Sequence, residues 1–421
     1  MVTEHEIILV SITGEDRPGV TTAMTEVLGK YGAEILDIGQ ADIHHSLSLG
    51  ILFRIHNKIH SGDAMKDLLF KASEMGVNIK FSWVSDENYE TWVNRQGMGR
   101  YIVTLLGKSL TAEQVSRVTK VIAGENLNID SIKRLTGRIP LDKSNEDVRS
   151  CIELSVRGSL KNRSRVQRNL VQLSAELDVD ISFQEDNIFR RNRRLICFDM
   201  DSTLIKTEVI DELADRAGVG DQVRAITESA MRGEIDFQES FTKRVALLKG
   251  LDESVMKEIA ENLPIMEGAE KLMSVLKRCG FKVAILSGGF SYFGEQLKKR
   301  FGVDYVYANE LEIEDGKLTG RYLGDIVDGK RKAELLRLIA QVEHIDLQQT
   351  IAVGDGANDL PMINLAGLGI AFHAKPKVKE SAGQSISTIG LDGILYFLGF
   401  RDIHIDENLN LLFKKKHYEC R

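Results

Sequence analysis

Three short runs of the chain, "LICFD" (195–199), "KVAILS" (282–287) and "TIAVGD" (350–355), are apolar at every interior position and then close on a polar residue. A strand that is apolar at every position has no face to offer water, so it belongs in a sheet covered on both sides. "YVYAN" (305–309) and "LGIAF" (368–372) read the same way, with helical patterns between the runs. That alternation predicts an α/β fold, a Rossmann-like parallel sheet over the C-terminal half. Ligands of such sheets gather beyond the carboxyl ends of the strands, and Asp199, Ser287 and Asp355 stand at those ends. Residues 208–263 form a helical stretch too long for one crossover, which predicts an inserted cap.

The N-terminal half repeats itself. "EIILVSITG" (6–14), a helical stretch, "GAEILDI" (32–38), "LSLGILFRI" (47–55), a second helix and "VNIKFSWV" (77–84) return from residue 100 as "RYIVTLLG", helix, "NLNIDSI", "CIELSVRG", helix and "DVDISF". Gly14 and Gly107 close equivalent strands. Two copies of βαββαβ imply two small ferredoxin-like domains. The expected division is 1–95, 96–185, a basic linker at 186–194, and 195–421 carrying a cap at 208–265.

A net charge of −7 argues against a nucleic-acid binder, and "RRNRR" (190–194) and "FKKKH" (413–417) read as a solvated linker and tail. No apolar segment approaches the ~20 residues of a membrane span, and the N-terminus has no secretion signal. The four cysteines (151, 197, 279, 420) show no paired spacing. These features predict a cytoplasmic protein of several domains.

The strand ends carry the chemistry. Asp199 and Asp201, Ser287-Gly288-Gly289, and Asp355, Asn358 and Asp359 of "VGDGANDLPM" converge, with Lys332 beginning the helical "GKRKAELL" nearby. Carboxylates crowded at one sheet edge repel unless a cation sits among them. An all-oxygen set beside a phosphate suits Mg²⁺. Serine, glycine amides and a lysine supply the hydrogen bonds and charge that a phosphoryl group needs. A carboxylate beside the metal can attack phosphorus, and a second one can protonate the leaving alkoxide and later activate water. Alone, the paired aspartates read as a turn and the glycines as a loop. The "GDGAND" stretch lacks the spacing and terminal glutamate of a calcium loop. Their joint occurrence at successive strand ends favours the catalytic reading.

"DMDSTL" (199–204), "SGG", Lys332 and "GDGANDLPM" resemble the four motifs of the haloacid-dehalogenase-like phosphatases, over residues 195–395. The resemblance implies Asp199 as nucleophile and metal ligand, Asp201 as general acid/base holding the metal through its backbone carbonyl, and Asp355 as a further ligand. It implies phosphoryl contacts from Ser287, Gly288, Lys332 and Asn358, with Asp359 orienting them. Residues 207–250 resemble the cap of phosphoserine phosphatases. That places Glu208 on an α-ammonium, Arg244 on an α-carboxylate, and Met231 and Phe237 in an apolar lid. The implied activity is Mg²⁺-dependent hydrolysis of O-phospho-L-serine, the last step of serine synthesis. Two alternatives stand beside it: hydrolysis or phosphoryl transfer on another small phosphomonoester, and an amino-acid-responsive regulator with a relic phosphatase half. Intact Asp199, Asp201, Lys332 and Asp355 speak against the regulator.

The repeats resemble ACT domains, carried by "ITGEDRPGV" (12–20). This implies an amino-acid effector, serine being the candidate, near Asp16 and Gly19, and a homodimer or larger homo-oligomer. The second copy has "LLGKSLTAE" at that place, without the DRPG turn.

Overall fold

The computed structural model describes residues 5–56, 58–138 and 148–405, in two compact units, Met1–Met98 and Gly99–Arg421. "FKKKH", Cys420 and the Met231 side chain lie outside the described residues.

In the first unit β1 (Glu6–Glu15), α1 (Val20–Lys30), β2 (Glu34–Ile43), β3 (Ser46–Ile55), α2 (Lys58–Met75) and β4 (Asn78–Val84) follow the expected βαββαβ order. A further helix, α3 (Asp86–Asn94), trails them. The sheet is antiparallel in the order β2-β3-β1-β4. Alternation decides which face is buried: Ile8, Val10 and Ile12 cluster with Met24 and Leu28 of α1 and Leu68 of α2.

The second unit opens with the same plan: β5 (Arg100–Gly107), α4 (Ala112–Gly124), β6 (Asn128–Arg134), β7 (Ser150–Arg157), α5 (Arg163–Leu177) and β8 (Asp180–Glu185). Its order β6-β7-β5-β8 is that of the first sheet, as an internal duplication requires.

Then come β9 (Leu195–Phe198) and four cap helices, α6 (Val209–Arg216), α7 (Gly220–Met231), α8 (Phe237–Ala246) and α9 (Ser254–Glu261). The chain returns through α10 (Ala269–Arg278), β10 (Lys282–Phe290), α11 (Ser291–Phe301), β11 (Tyr305–Glu314), β12 (Lys317–Leu323), α12 (Gly329–Val342) and β13 (Thr350–Gly354). It ends with α13 (Leu360–Leu365), β14 (Leu368–Phe372), α14 (Pro376–Ala382), β15 (Ser385–Ile386), α15 (Ile394–Phe397) and α16 (Asp402–Ile405). The seven strands lie in the order β12-β11-β10-β9-β13-β14-β15. Both faces are covered, as the apolar runs require. Ile196, Phe198, Ile351 and Val353 pack with α10 and α15, while Leu195, Cys197 and Ala352 pack with α12 and α13.

Three local readings need correction. The sheet is not wholly parallel, because β12 pairs antiparallel with β11. Asp315 and Gly316, both at positive φ (51° and 75°), make the tight turn between them. The helix holding Lys332 begins at Gly329, three residues earlier than read, with the Asp328 side chain capping Arg331 N at 2.9 Å. The basic stretch 190–194 is not simply solvated. Arg190 is buried and pairs with Glu153 at 2.6 Å, and Arg193 donates to the carbonyls of Gln348 and Thr350.

The second repeat is joined to the α/β sheet through a buried polar seam. Asp180 of β8 accepts Ser387 N (2.7 Å), Thr388 N (3.0 Å) and the Thr388 hydroxyl (2.6 Å). Ser182 donates to Gln384, and Gln184 donates to Phe397 O. Among the described residues no helix is long and apolar enough to cross a membrane.

Candidate active site

β10, β9 and β13 are parallel neighbours in register, so their carboxyl ends form one rim. At that rim Asp199 N donates to Val353 O at 2.9 Å, tying the first motif to the strand beside it. Asp199 Oδ1 accepts Met200 N at 2.7 Å and faces Lys332 Nζ at 3.0 Å. Lys332, wholly buried, also donates to Asp359 Oδ1 at 2.7 Å, while Asp359 Oδ2 accepts Gly356 N at 3.0 Å. Thr203 Oγ1 donates to Asp355 Oδ1 at 3.1 Å. The Asp201 carboxylate turns to the start of the cap, where Oδ1 accepts Val209 N at 3.2 Å. A methyl group at Gly289 would stand 2.3 Å from Asp201 Oδ2, so the loop approaches this closely only as glycine. Ser287 Oγ accepts Gly289 N at 3.0 Å.

The charges here are out of balance. Loss of hydration raises the Asp355 pKa to about 8, with Asp199, Asp359 and Glu208 adding to it against the Thr203 bond. Burial and Asp199 push Asp359 up to about 7 in spite of Lys332. Asp201 is raised well above the carboxylate range, by burial and then by Glu208 and Asp199. Burial works against the Lys332 ammonium, yet Asp199 and Asp359 outweigh it and raise its pKa. Asp199, Asp355 and Asp359 each bring a carboxylate oxygen within 4.8 Å of the others. This hard, all-oxygen set with surplus negative charge fits a divalent cation.

The cap contributes from above. Ser202 Oγ donates to Glu208 Oε1 at 2.8 Å. The Glu208 carboxylate is raised by loss of hydration and by Asp199, against that hydrogen bond. Burial lowers the Arg244 pKa, opposed by Glu208, Asp211 and Asp201. Phe237, stacked on Phe241, covers the Ser287-Gly288-Gly289 loop: a methyl group at Gly288 would lie 3.0 Å from its Cζ.

Residues 196–364 match the haloacid dehalogenase-like hydrolase family, and residues 6–82 and 100–184 each match an ACT domain. Over 392 residues the chain is 40% identical to phosphoserine phosphatase SerB2 of Mycobacterium tuberculosis, covering 93% of each. It is likewise 40% identical over 394 residues to the phosphoserine phosphatase of Streptomyces coelicolor, covering 93% of this chain and 92% of that one. The chain belongs to the phosphoserine phosphatase family. A HAD family hydrolase from Salmonella enterica serovar Typhi has a similar solved structure, with TM-score 0.61 and 30% identity, over 73% of this chain and 99% of its own.

The phosphatase rim thus gathers Asp199, Asp201, Ser287, Gly288, Lys332, Asp355 and Asp359. Asn358 lies where α12 begins, its carbonyl 2.5 Å from a methyl group placed at Gly329. Two contributors escaped sequence reading. Thr203 was read only as part of the first motif, though it holds Asp355. Asp211, in the first turn of α6, acts on Arg244 beside Glu208. Its Oδ1 is buried without a hydrogen-bond partner among the described residues. The three-residue spacing from Glu208 was the available signal.

Asp16 and Gly19 both line a cavity of about 260 Å³ in the first ACT domain, with Arg17, Thr21, Gln40 and Leu47. Gly19 heads α1 at φ 95°, and no side-chain hydrogen bond caps that helix start among the described residues. In the second ACT domain Thr111 and Gln114 close the equivalent helix start with a reciprocal capping box.

Proposed function

We propose that the enzyme hydrolyses O-phospho-L-serine to L-serine and phosphate through an aspartyl-phosphate on Asp199, with Mg²⁺ as cofactor. The observation that carries this reading is the Asp199 carboxylate set 3.0 Å from the buried Lys332 and facing Asp355 and Asp359, under a cap that brings Glu208 and Arg244. Asp199, Asp355 and the Asp201 carbonyl would hold the metal, which supplies charge for the phosphoryl oxygens when bound. Ser287, the Gly288 amide, Asn358 and Lys332 hold the phosphoryl group, and Asp359 orients Lys332.

Asp199 attacks phosphorus and the serine oxygen leaves, taking the proton of Asp201, whose raised pKa keeps its acid form available. Asp201, now a carboxylate, then takes a proton from the water that attacks the phosphoryl-aspartate, and phosphate departs. Arg244 receives the α-carboxylate and Glu208 the α-ammonium. Phe237 lies over the site and keeps bulk water from it, so that the water activated by Asp201 is the one that attacks.

The same proposal takes the domains to be 1–95, 96–185 and 195–421 with the cap at 208–265, and the enzyme to be a cytoplasmic homo-oligomer. The edge strand β2 supports the oligomer, since Ile35, Ile38 and Ile43 along it are 41%, 47% and 76% exposed. The first ACT cavity is assigned to an amino acid, serine in the first instance. Phosphate release from a panel of phosphomonoesters, with Mg²⁺ and with a chelator, tests the reading. Phosphoserine is expected to lead by kcat/KM and to depend on the metal. An equal response to sugar and amino-acid phosphates would end the assignment.

A further inference from the structure

The cap joins the core through two chain crossings that run side by side. Lys206 N donates to Pro264 O (2.8 Å), Met266 N donates to Leu204 O (2.9 Å), and Ile205 bridges Ile265 in antiparallel fashion. The outgoing crossing starts just past Asp201, where the amides of Thr203, Leu204 and Ile205 fold back onto Met200 O. The returning crossing ends at Glu267 and Gly268, where Glu267 O accepts Leu391 N at 2.8 Å. Gly268 is pressed against Asp392: a methyl group there would stand 2.2 Å from Asp392 Oδ1.

Asp392 is 3% exposed, and its main counter-charge comes from outside the phosphatase core. Arg149, at the entry to β7 of the second ACT domain, donates Nη1 to Asp392 Oδ2 and Nη2 to Glu267 Oε1, the latter at 3.4 Å. Lys271 Nζ stands farther off, at 3.9 Å. One ACT-domain guanidinium therefore grips both the returning crossing and the buried carboxylate wedged under it. Because the two crossings share hydrogen bonds, a shift of the returning one moves the outgoing one with it.

We propose that Arg149 is a positioning residue for the cap: it fixes the returning crossing and, through the paired ribbon, the pose in which Glu208 and Arg244 meet the Asp199 site. The kinetic arm of its test rests on the phosphoserine reading above, and the exchange arm does not.

The full chain is compared with R149M, R149K and R149M/D392N. R149M alone strands a buried carboxylate, so the double variant, which removes both charges, separates lost positioning from lost stability. The expected result is a fall in kcat/KM for phosphoserine of roughly 10- to 100-fold in R149M and the double variant, because small misplacements of positioning groups are costly. The loss for p-nitrophenyl phosphate, which has no amino-acid groups for the cap to hold, should stay within about threefold. R149K should recover part of the phosphoserine activity. Hydrogen exchange at residues 204–206 and 265–268 should quicken in R149M and R149M/D392N while β9 and β13 stay protected. Unchanged exchange at the crossings overturns the proposal whatever the substrate proves to be. Equal proportional loss of both substrates in the folded double variant overturns it too.

Discussion

Two buried polar clusters lie in the same unit of this protein, and they are built on opposite terms. At the seam between the second ACT domain and the α/β sheet, Asp180 accepts three hydrogen bonds from Ser387 and Thr388. Burial still raises its pKa, but no neighbouring carboxylate contributes to the rise. At the rim, carboxylates raise one another: Asp355 is pushed to about 8 and Asp359 to about 7, with Asp199 a cause in both. At the seam the buried carboxylate finds its donors, although Gln184 Oε1 and Ser387 Oγ have no hydrogen-bond partner among the described residues. The rim is left short of positive charge, and that deficit is what a cation and a substrate can supply. Buried polarity alone therefore does not mark an active site; the imbalance does.

The largest effect expected from this contrast is at Asp199. Asp199→Asn should lower turnover by at least ~10⁴-fold, because it removes the carboxylate proposed as nucleophile. Its folding stability should hold or rise, since a repelling charge has been removed. Phosphate release and denaturant unfolding on the same preparation check both halves. A variant that stays active, or one that unfolds readily, would break the contrast at its catalytic end.

Asp180→Ala should show the reverse. Three donors lose their acceptor in a buried seam, so stability should drop by about 2–4 kcal/mol. Turnover per folded molecule should stay within about twofold, since no group that touches substrate is altered. A chain starting at residue 99 keeps this seam and should remain active, whereas one starting at residue 186 exposes it and should aggregate. Full solubility of the shorter chain would show the seam to be dispensable.

Removing the metal sharpens the comparison through pH. In the folded, metal-free protein Asp355 and Asp359 hold protons up to about 8 and about 7, against 3.8 in the ordinary carboxylate. Between those values the folded state binds protons that the unfolded state has released, so stability should fall as pH rises from ~4 to ~8. Saturating Mg²⁺ should flatten that slope, and its binding near neutral pH should release protons. Unfolding midpoints at several pH values, in chelator and in Mg²⁺, decide the matter. A slope that Mg²⁺ leaves unchanged would place the titrating groups elsewhere than the rim.

The smallest effect is expected in the first ACT domain. Gly19 sits at φ 95°, and a side chain there is strained even though a methyl group would meet no neighbour. Gly19→Val should abolish any response of rate to serine and leave basal turnover within about twofold. The matching change at the second copy, Thr111→Ala, should cost about 1 kcal/mol of stability through the lost cap and leave the serine response intact. Loss of the response in Thr111→Ala instead would reverse the roles assigned to the two copies.

Much of this molecule was legible in the residues alone. Apolar runs closing on Asp199, Ser287 and Asp355 announce a sheet covered on both faces, because an apolar strand has nowhere else to go. The repeat announces two like-folded domains, since the same periodicity buries the same faces. The motifs locate the reacting groups because chemistry demands particular atoms and local spacing delivers them. What tertiary structure decided are the pairings between residues far apart in the chain. Thr203 gained its role by meeting Asp355 across two strands, and Lys332 was buried between two aspartates from separate motifs. Arg190 was taken out of water by Glu153 and Arg193 half-buried against the carbonyls of Gln348 and Thr350, partners that no local pattern reveals. The Asp315-Gly316 turn was a local signal, but its consequence, an antiparallel edge on a parallel sheet, depended on which strand lay beside it. Arg149 belongs to the second ACT repeat by sequence and to the cap joint by contact. A residue's type and spacing set what it can do; only the fold sets what stands close enough for it to be done.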